Sequence, residues 1–189
     1  MPRPVCVYDA NVLYPAQLRD LLMRLAVHGI VRAHWSKKIH EEWTRNVLAN
    51  HPGLQRSDVR RTRQLMDRAL PDACVEGYER RVANLALPDP DDRHVLAAAL
   101  EIEATCIVTF NLRDFPDERL QPYGIEALHP DALMLRLLGK SEDAVIDVMR
   151  SHRMSLRNPR VPVDFYLQML QRVGLSRSVE LVDQRSAEL

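Results

Sequence analysis

The stretch VCVYDANVLYP, Val5 to Pro15, decides the fold. Val5, Cys6, Val7 and Tyr8 form a brief, largely β-branched apolar run that reads as a buried strand. The run stops on Asp9, with Asn11 two residues later, and Pro15 stands where a first helical residue would. Leu18, Leu21, Leu22, Leu25 and Ala26 then recur at helical spacing until Gly29. A strand ending on an acid and followed by a helix is how a parallel α/β sheet begins, and such sheets bind ligands outside the carboxyl ends of their strands.

Working outward, Ile30–Ala33 is expected to be a second strand, and Ser36 caps a helix running to about Ala49. A further helix is expected over Ser57–Leu70, with Arg56, Arg60, Arg61, Arg63 and Arg68 along it. The turn LPDPDD (87–92) leads into a helix over Asp92–Glu103. Cys106–Thr109 is expected as a third strand, Gly124–Leu128 as a fourth, and Pro130–Leu138 starts another helix. Beyond Gly139 only helical patterns remain, over Ser141–Met154 and Val163–Arg172, joined by SLRNPRVP. The expected architecture is therefore an α/β domain with a mainly parallel sheet over residues 1–139, plus a helical extension over 140–189.

Composition bounds the rest. The chain has 189 residues, 46% of them apolar, which is enough for a core and excludes global disorder. Twenty-six basic residues balance 26 acidic ones, so any attraction to a polyanion must come from local charge separation. Cys6, Cys74 and Cys106 form no C-x-x-C pair and are expected as reduced thiols. No signal peptide is apparent, and the longest apolar run, Val95–Leu100, is too short for a membrane span. A soluble cytoplasmic protein with no membrane partner is the expectation.

The acids carry the chemistry. Asp9 and Asn11 follow the first strand, while Thr109, Asn111 and Asp114 follow the third. On the helix after Ser36, Ile39, Trp43, Asn46 and Val47 make the inward stripe. Glu42 lies roughly 60° from Ile39, at its border, whereas Glu41 lies about 160° away on the solvent side. A carboxylate beside a core-facing stripe needs a cation to offset its burial. Asp92 shares a face with Val95, Leu96 and Ala99, although an N-capping role would explain it equally well. Converging carboxylates without histidine or cysteine spacing suit Mg²⁺ or Mn²⁺, one or two ions. His34, His40 and His94 form no zinc motif, since HEEWT (40–44) lacks the second histidine of H-E-x-x-H. A phosphatase with Asp9 as nucleophile would be expected to carry a second acid at Asn11.

Four segments, VYDANVL (7–13), SKKIHEEW (36–43), DPDDRHVLAAAL (89–100) and IVTFNLRDFP (107–116), together resemble the PIN domain family, which includes VapC-type toxin ribonucleases. The resemblance implies a three-layer sandwich and a divalent-metal-dependent endoribonuclease. It implies that Asp9, Glu42, Asp92 and Asp114 hold the metals and carry catalysis, with Asn111 as a ligand-shell or water-positioning group. From their places at the strand ends, Thr109 is expected to support the site or position substrate, and Asn11 either to orient Asp9 or to be a turn residue. Many family members place an acid where Asn111 stands, which keeps open a metal-deficient RNA- or protein-binding module. A VapB-type antitoxin and a homodimer are further implications of the family. NPRVPVDFYLQML and GLSRSVELV resemble the C-terminal extension of a VapC-like subgroup. For RNA contact, Arg150, Arg153, Arg157 and Arg160 in RSHRMSLRNPR are the expected basic cluster, with the arginines at 56–68 a second source of positive charge. With 5% aromatic residues, base stacking is not the expected main binding mode.

Overall fold

The computed structural model describes residues 3–156 and 160–189. Its strands are β1 (Val5–Tyr8), β2 (Arg32–Ser36), β3 (Cys74–Val75), β4 (Cys106–Val108) and β5 (Glu126–Leu128). They form one parallel sheet in the order β3-β2-β1-β4-β5. From β1 the chain moves to one side through β2 and β3, then crosses back to place β4 on the other side of β1. The β1/β4 boundary is therefore the switch point at which a parallel sheet opens a crevice. Cys6, Val7 and Tyr8 point to alternate faces and all three are fully buried, so both faces of β1 are covered.

The helices are α1 (Ala10–Leu13), α2 (Ala16–Val27), α3 (Lys37–Asn50), α4 (Arg56–Ala69), α5 (Glu79–Val82), α6 (Arg93–Glu101), α7 (Asp117–Leu120), α8 (Pro130–Ser155), α9 (Val163–Arg172) and α10 (Ser176–Asp183). Among them α6 packs on β1, β2 and β4, whereas α2 and α8 pack on each other and on β2 and β5 respectively. The result is the expected three-layer sandwich. No helix among the described residues is long and apolar enough to cross a membrane.

Several expectations shift. Asp9 caps an extra turn, α1, before the helix that follows Pro15, its carboxylate accepting from the Ala10 N–H at 2.6 Å. The second strand starts at Arg32 rather than Ile30, because Gly29 turns the chain at φ 70° and Arg32 N–H donates to the Pro4 carbonyl. β3 is only two residues long, too short for a periodic signal. Cys6 and Cys106 are registered neighbours across β1 and β4, with Cα atoms 4.8 Å apart, and the structure joins them as a disulfide. The expectation of reduced thiols thus holds only for Cys74.

The C-terminal helices are fastened to the sandwich by buried polar contacts. α8 runs through residues 139 and 140 and breaks its helical geometry at Ser141. Asp131, buried near the start of α8, accepts from Arg177 N–H at 3.1 Å, Ser178 N–H at 2.9 Å and the Ser178 hydroxyl at 2.5 Å. It thereby caps α10 from another helix. At the α2 junction, His152 is fully buried, its Nδ1 3.0 Å from the Tyr166 hydroxyl and its Nε2 3.4 Å from Asp20.

Burial, reinforced by Arg24 and opposed by Asp20, pushes the His152 pKa down to about 4. The unfolded imidazole titrates near 6.5, so between these values the unfolded chain binds more protons than the folded one. Stability is then complete above about pH 6.5 and is lost as pH falls toward 4. Denaturant melts at pH 7.5 and pH 5 should differ by on the order of 2 kcal/mol from this residue alone. His152→Gln should remove that part of the difference, and an undiminished difference would show that His152 is not responsible.

Candidate active site

The site forms where β1 and β4 end side by side. Asp9 N–H donates to the Val108 carbonyl at 3.0 Å and Thr109 N–H to Leu128 at 2.9 Å, which extends the sheet ladder to both residues. The Thr109 hydroxyl donates to Asp9 Oδ2 at 2.7 Å. Asn11 Nδ2 reaches the same Oδ2 at 2.6 Å and Thr109 Oγ1 at 2.9 Å, while Asn11 Oδ1 accepts from Phe110 N–H at 3.1 Å. Asn111 contributes its backbone N–H to Thr109 Oγ1 at 3.0 Å, and its exposed side chain has no hydrogen bond among the described residues. Asn11 is therefore a brace between two strand ends as well as a turn residue, and Asp9 is both aimed and buried.

Burial raises the Asp9 pKa, the hydrogen bonds from Thr109 and Ala10 pull it back, and the Glu42 charge pushes it up again. Asp92 is raised as well, to about 7, by burial first and then by the charges of Asp9, Asp89, Asp114 and Glu42. All four expected acids thus share one negative field. Asp92 occupies the N-cap position of α6 without making a cap hydrogen bond. Capping of the preceding 3-10 turn (Pro90–Asp92) falls to Asp89, whose carboxylate accepts from Asp91 N–H. This disposes of the capping explanation for Asp92.

The two glutamates of α3 separate as the helical wheel requires. Glu42 is mostly sheltered, 3.0 Å from Nε2 of buried His94 and 3.9 Å from Lys38 Nζ, whereas Glu41 is exposed and pairs loosely with Lys37. The His94 contact lies out of line for a hydrogen bond, and among the described residues both ring nitrogens are otherwise unpartnered. Glu42→Gln should cost any activity of this site on the order of 10²-fold, while Glu41→Gln should leave rates within about twofold. Equal losses in parallel kinetic assays would contradict this assignment. His94 and Asp89 also border the acids, and neither carries a sequence signal for it. Asp89 could be read only as a turn residue, and His94 falls on the core face of α6, where a histidine gives no distinctive signal.

The donor set suits a hard divalent cation in kind and in charge, because a cation would relieve the repulsion that raises Asp92. No group of three acids, histidines or cysteines among the described residues is close enough to enclose an ion.

Of the expected basic cluster, Arg150 bonds to Asp147 and the Glu188 carbonyl. Arg153 donates to the carbonyls of Leu189 at 2.9 Å and Val161 at 2.8 Å. Much of their hydrogen-bonding capacity therefore holds the C-terminal segment. Arg160 is exposed, and Arg157 lies outside the described residues.

A PIN domain profile matches residues 5–113, and a VapC50 C-terminal domain profile matches residues 130–184. Over 53 residues the chain is 57% identical to VapC50 of Mycobacterium tuberculosis, provisionally named a ribonuclease. That alignment covers 28% of this chain and 31% of the relative. No solved structure matches.

Proposed function

Because the chain belongs to the PIN domain family, we propose that it is a divalent-metal-dependent endoribonuclease, the toxin of a VapBC-type pair. The single observation that carries this reading is the shared field of Asp9, Glu42, Asp92 and Asp114 at the β1/β4 switch point. In this reading residues 1–139 are the nuclease unit and 140–189 an appended helical segment. The protein acts in the cytoplasm as a homodimer and is neutralised by a VapB-type antitoxin.

The four acids would hold Mg²⁺ or Mn²⁺. When bound, such a cation lowers the pKa of water and offsets the charge of a phosphodiester. The chain's own residues prepare the site for it. Thr109 and the Ala10 amide keep Asp9 in one orientation, and Asn11 locks that orientation to the backbone of Phe110. Glu42 and Asp92 approach from α3 and from the start of α6, so carboxylates flank the crevice on more than one side. Asn111 supplies a neutral side chain at the β4 edge, where it positions substrate or water. Water is the attacking group, so no covalent enzyme intermediate forms, and the products carry a 5′-phosphate and a 3′-hydroxyl.

The alternative, a PIN-like binding module without catalysis, draws on Asn111 and on the open spacing of the acids. Incubating the purified protein with an RNA pool and Mn²⁺, with and without EDTA, separates the two. Cleavage that EDTA abolishes is expected, and RNA that stays intact while remaining bound would favour the module.

A further inference from the structure

Beside the acidic crevice, α3 and α4 enclose a groove of ≈ 610 Å³ into which Arg45, Arg56, Arg60 and Arg63 all project. Resting on the nuclease reading above, we propose that this groove binds the phosphate backbone of the RNA as it leaves the crevice. Arg56, Arg60 and Arg63 stand at i, i+4 and i+7, hence on one face of α4 over a rise of about 10 Å. Arg45 faces them from α3, one turn beyond Glu41. Arg63 shares Asp67 at 3.9 Å, but Arg45, Arg56 and Arg60 have no ion pair among the described residues. The lone acid of the groove among the described residues, Glu41, is drawn toward Lys37.

Like charges at i and i+4 destabilise a helix, and four guanidiniums around one groove repel one another. In a chain of zero net charge, that concentration of positive charge is a local feature suited to an anion. The anion is extended, because the arginines line up along a helix instead of converging on a point. Among the described residues no aromatic side chain lines the groove. It therefore grips phosphates without stacking bases, which gives affinity and direction but no sequence choice. One of its lining residues, Glu41, is the chain neighbour of Glu42, so the groove and the acid share helix α3.

The test measures binding of labelled oligouridylate to the Asp9→Asn protein in Mg²⁺ over a range of salt. Arg56→Gln/Arg60→Gln removes two groove charges. Arg61→Gln/Arg68→Gln removes two charges from the same helix, at positions more than about 100° around from Arg56. The groove pair should weaken binding at least about tenfold at low salt and flatten the log–log salt slope by about 1.4, two phosphates' worth for a single strand. The control pair should change neither. Parallel assays with the unmodified protein, Mn²⁺ and the same RNA report on the nuclease reading. If that protein cleaves while both pairs bind alike, the groove proposal falls and the nuclease stands. If it neither binds nor cleaves, both fall. If the groove pair loses binding of polyglutamate but keeps that of RNA, the groove serves an acidic protein instead, and the proposal is overturned.

Discussion

Asp9→Asn should abolish RNA cleavage, with a loss of at least about 10³-fold in kcat/KM, or about 4 kcal/mol of transition-state stabilisation. Asp9 is 5% exposed and engages three donors, the Ala10 N–H, the Thr109 hydroxyl and the Asn11 amide. The amide substitution keeps the size and removes the charge on which a divalent cation depends. Folding stability should stay within about 1 kcal/mol of the parent, since a lost bond to Asn11 is offset by no longer burying a charge. Asp92→Asn should likewise abolish cleavage. Its carboxyl pKa is raised to about 7, so ionisation opposes folding as pH rises through that value, and the amide should melt higher than the parent at pH 8.

The largest stability effect should come from Asp131→Ala. That carboxylate accepts from two backbone amides of α10 and from the buried Ser178 hydroxyl, and alanine leaves all three without it. A cost of about 2–3 kcal/mol is expected, from a lost helix cap together with unsatisfied buried donors. For a chain of this size that lowers Tm by roughly 5–10 °C. Asp131→Asn retains one acceptor of the same shape and should recover about half of the loss. A change under about 1 kcal/mol for alanine would show that α10 is held by packing alone. The effect should reach the site, because Gly174, just before α10, packs so closely on Phe110 that a Cβ there would lie 2.9 Å from its ring. Phe110 in turn carries the amide that fixes Asn11.

What the sequence revealed and what it hid follow from how local each signal is. Asp9 at a strand end, and Glu42 at the edge of a helix face, are legible from periodicity over a few residues. Asp92 is ambiguous until its carboxyl is seen to make no cap hydrogen bond to α6. The brace of Asn11 on Thr109 and Phe110 joins residues almost a hundred positions apart, and no local pattern encodes such a contact. The same holds for Asp131 with Ser178, and for Arg45 facing the arginines of α4. The sequence shows no acid among the basic residues of 150–160, which makes them read as available. The structure shows Arg150 and Arg153 engaged with carbonyls of the C-terminal segment, partners that carry no sequence signal.

One measurement bears most directly on the central claim that the acids at the β1/β4 switch point form a hydrolytic metal site. Purified protein and its Asp9→Asn variant are incubated with RNA across a Mn²⁺ titration, and the new ends are identified. The account predicts Mn²⁺-dependent fragments bearing 5′-phosphates from the parent and none from the variant. Equal cleavage by both proteins, or fragments bearing 2′,3′-cyclic phosphates, would contradict it.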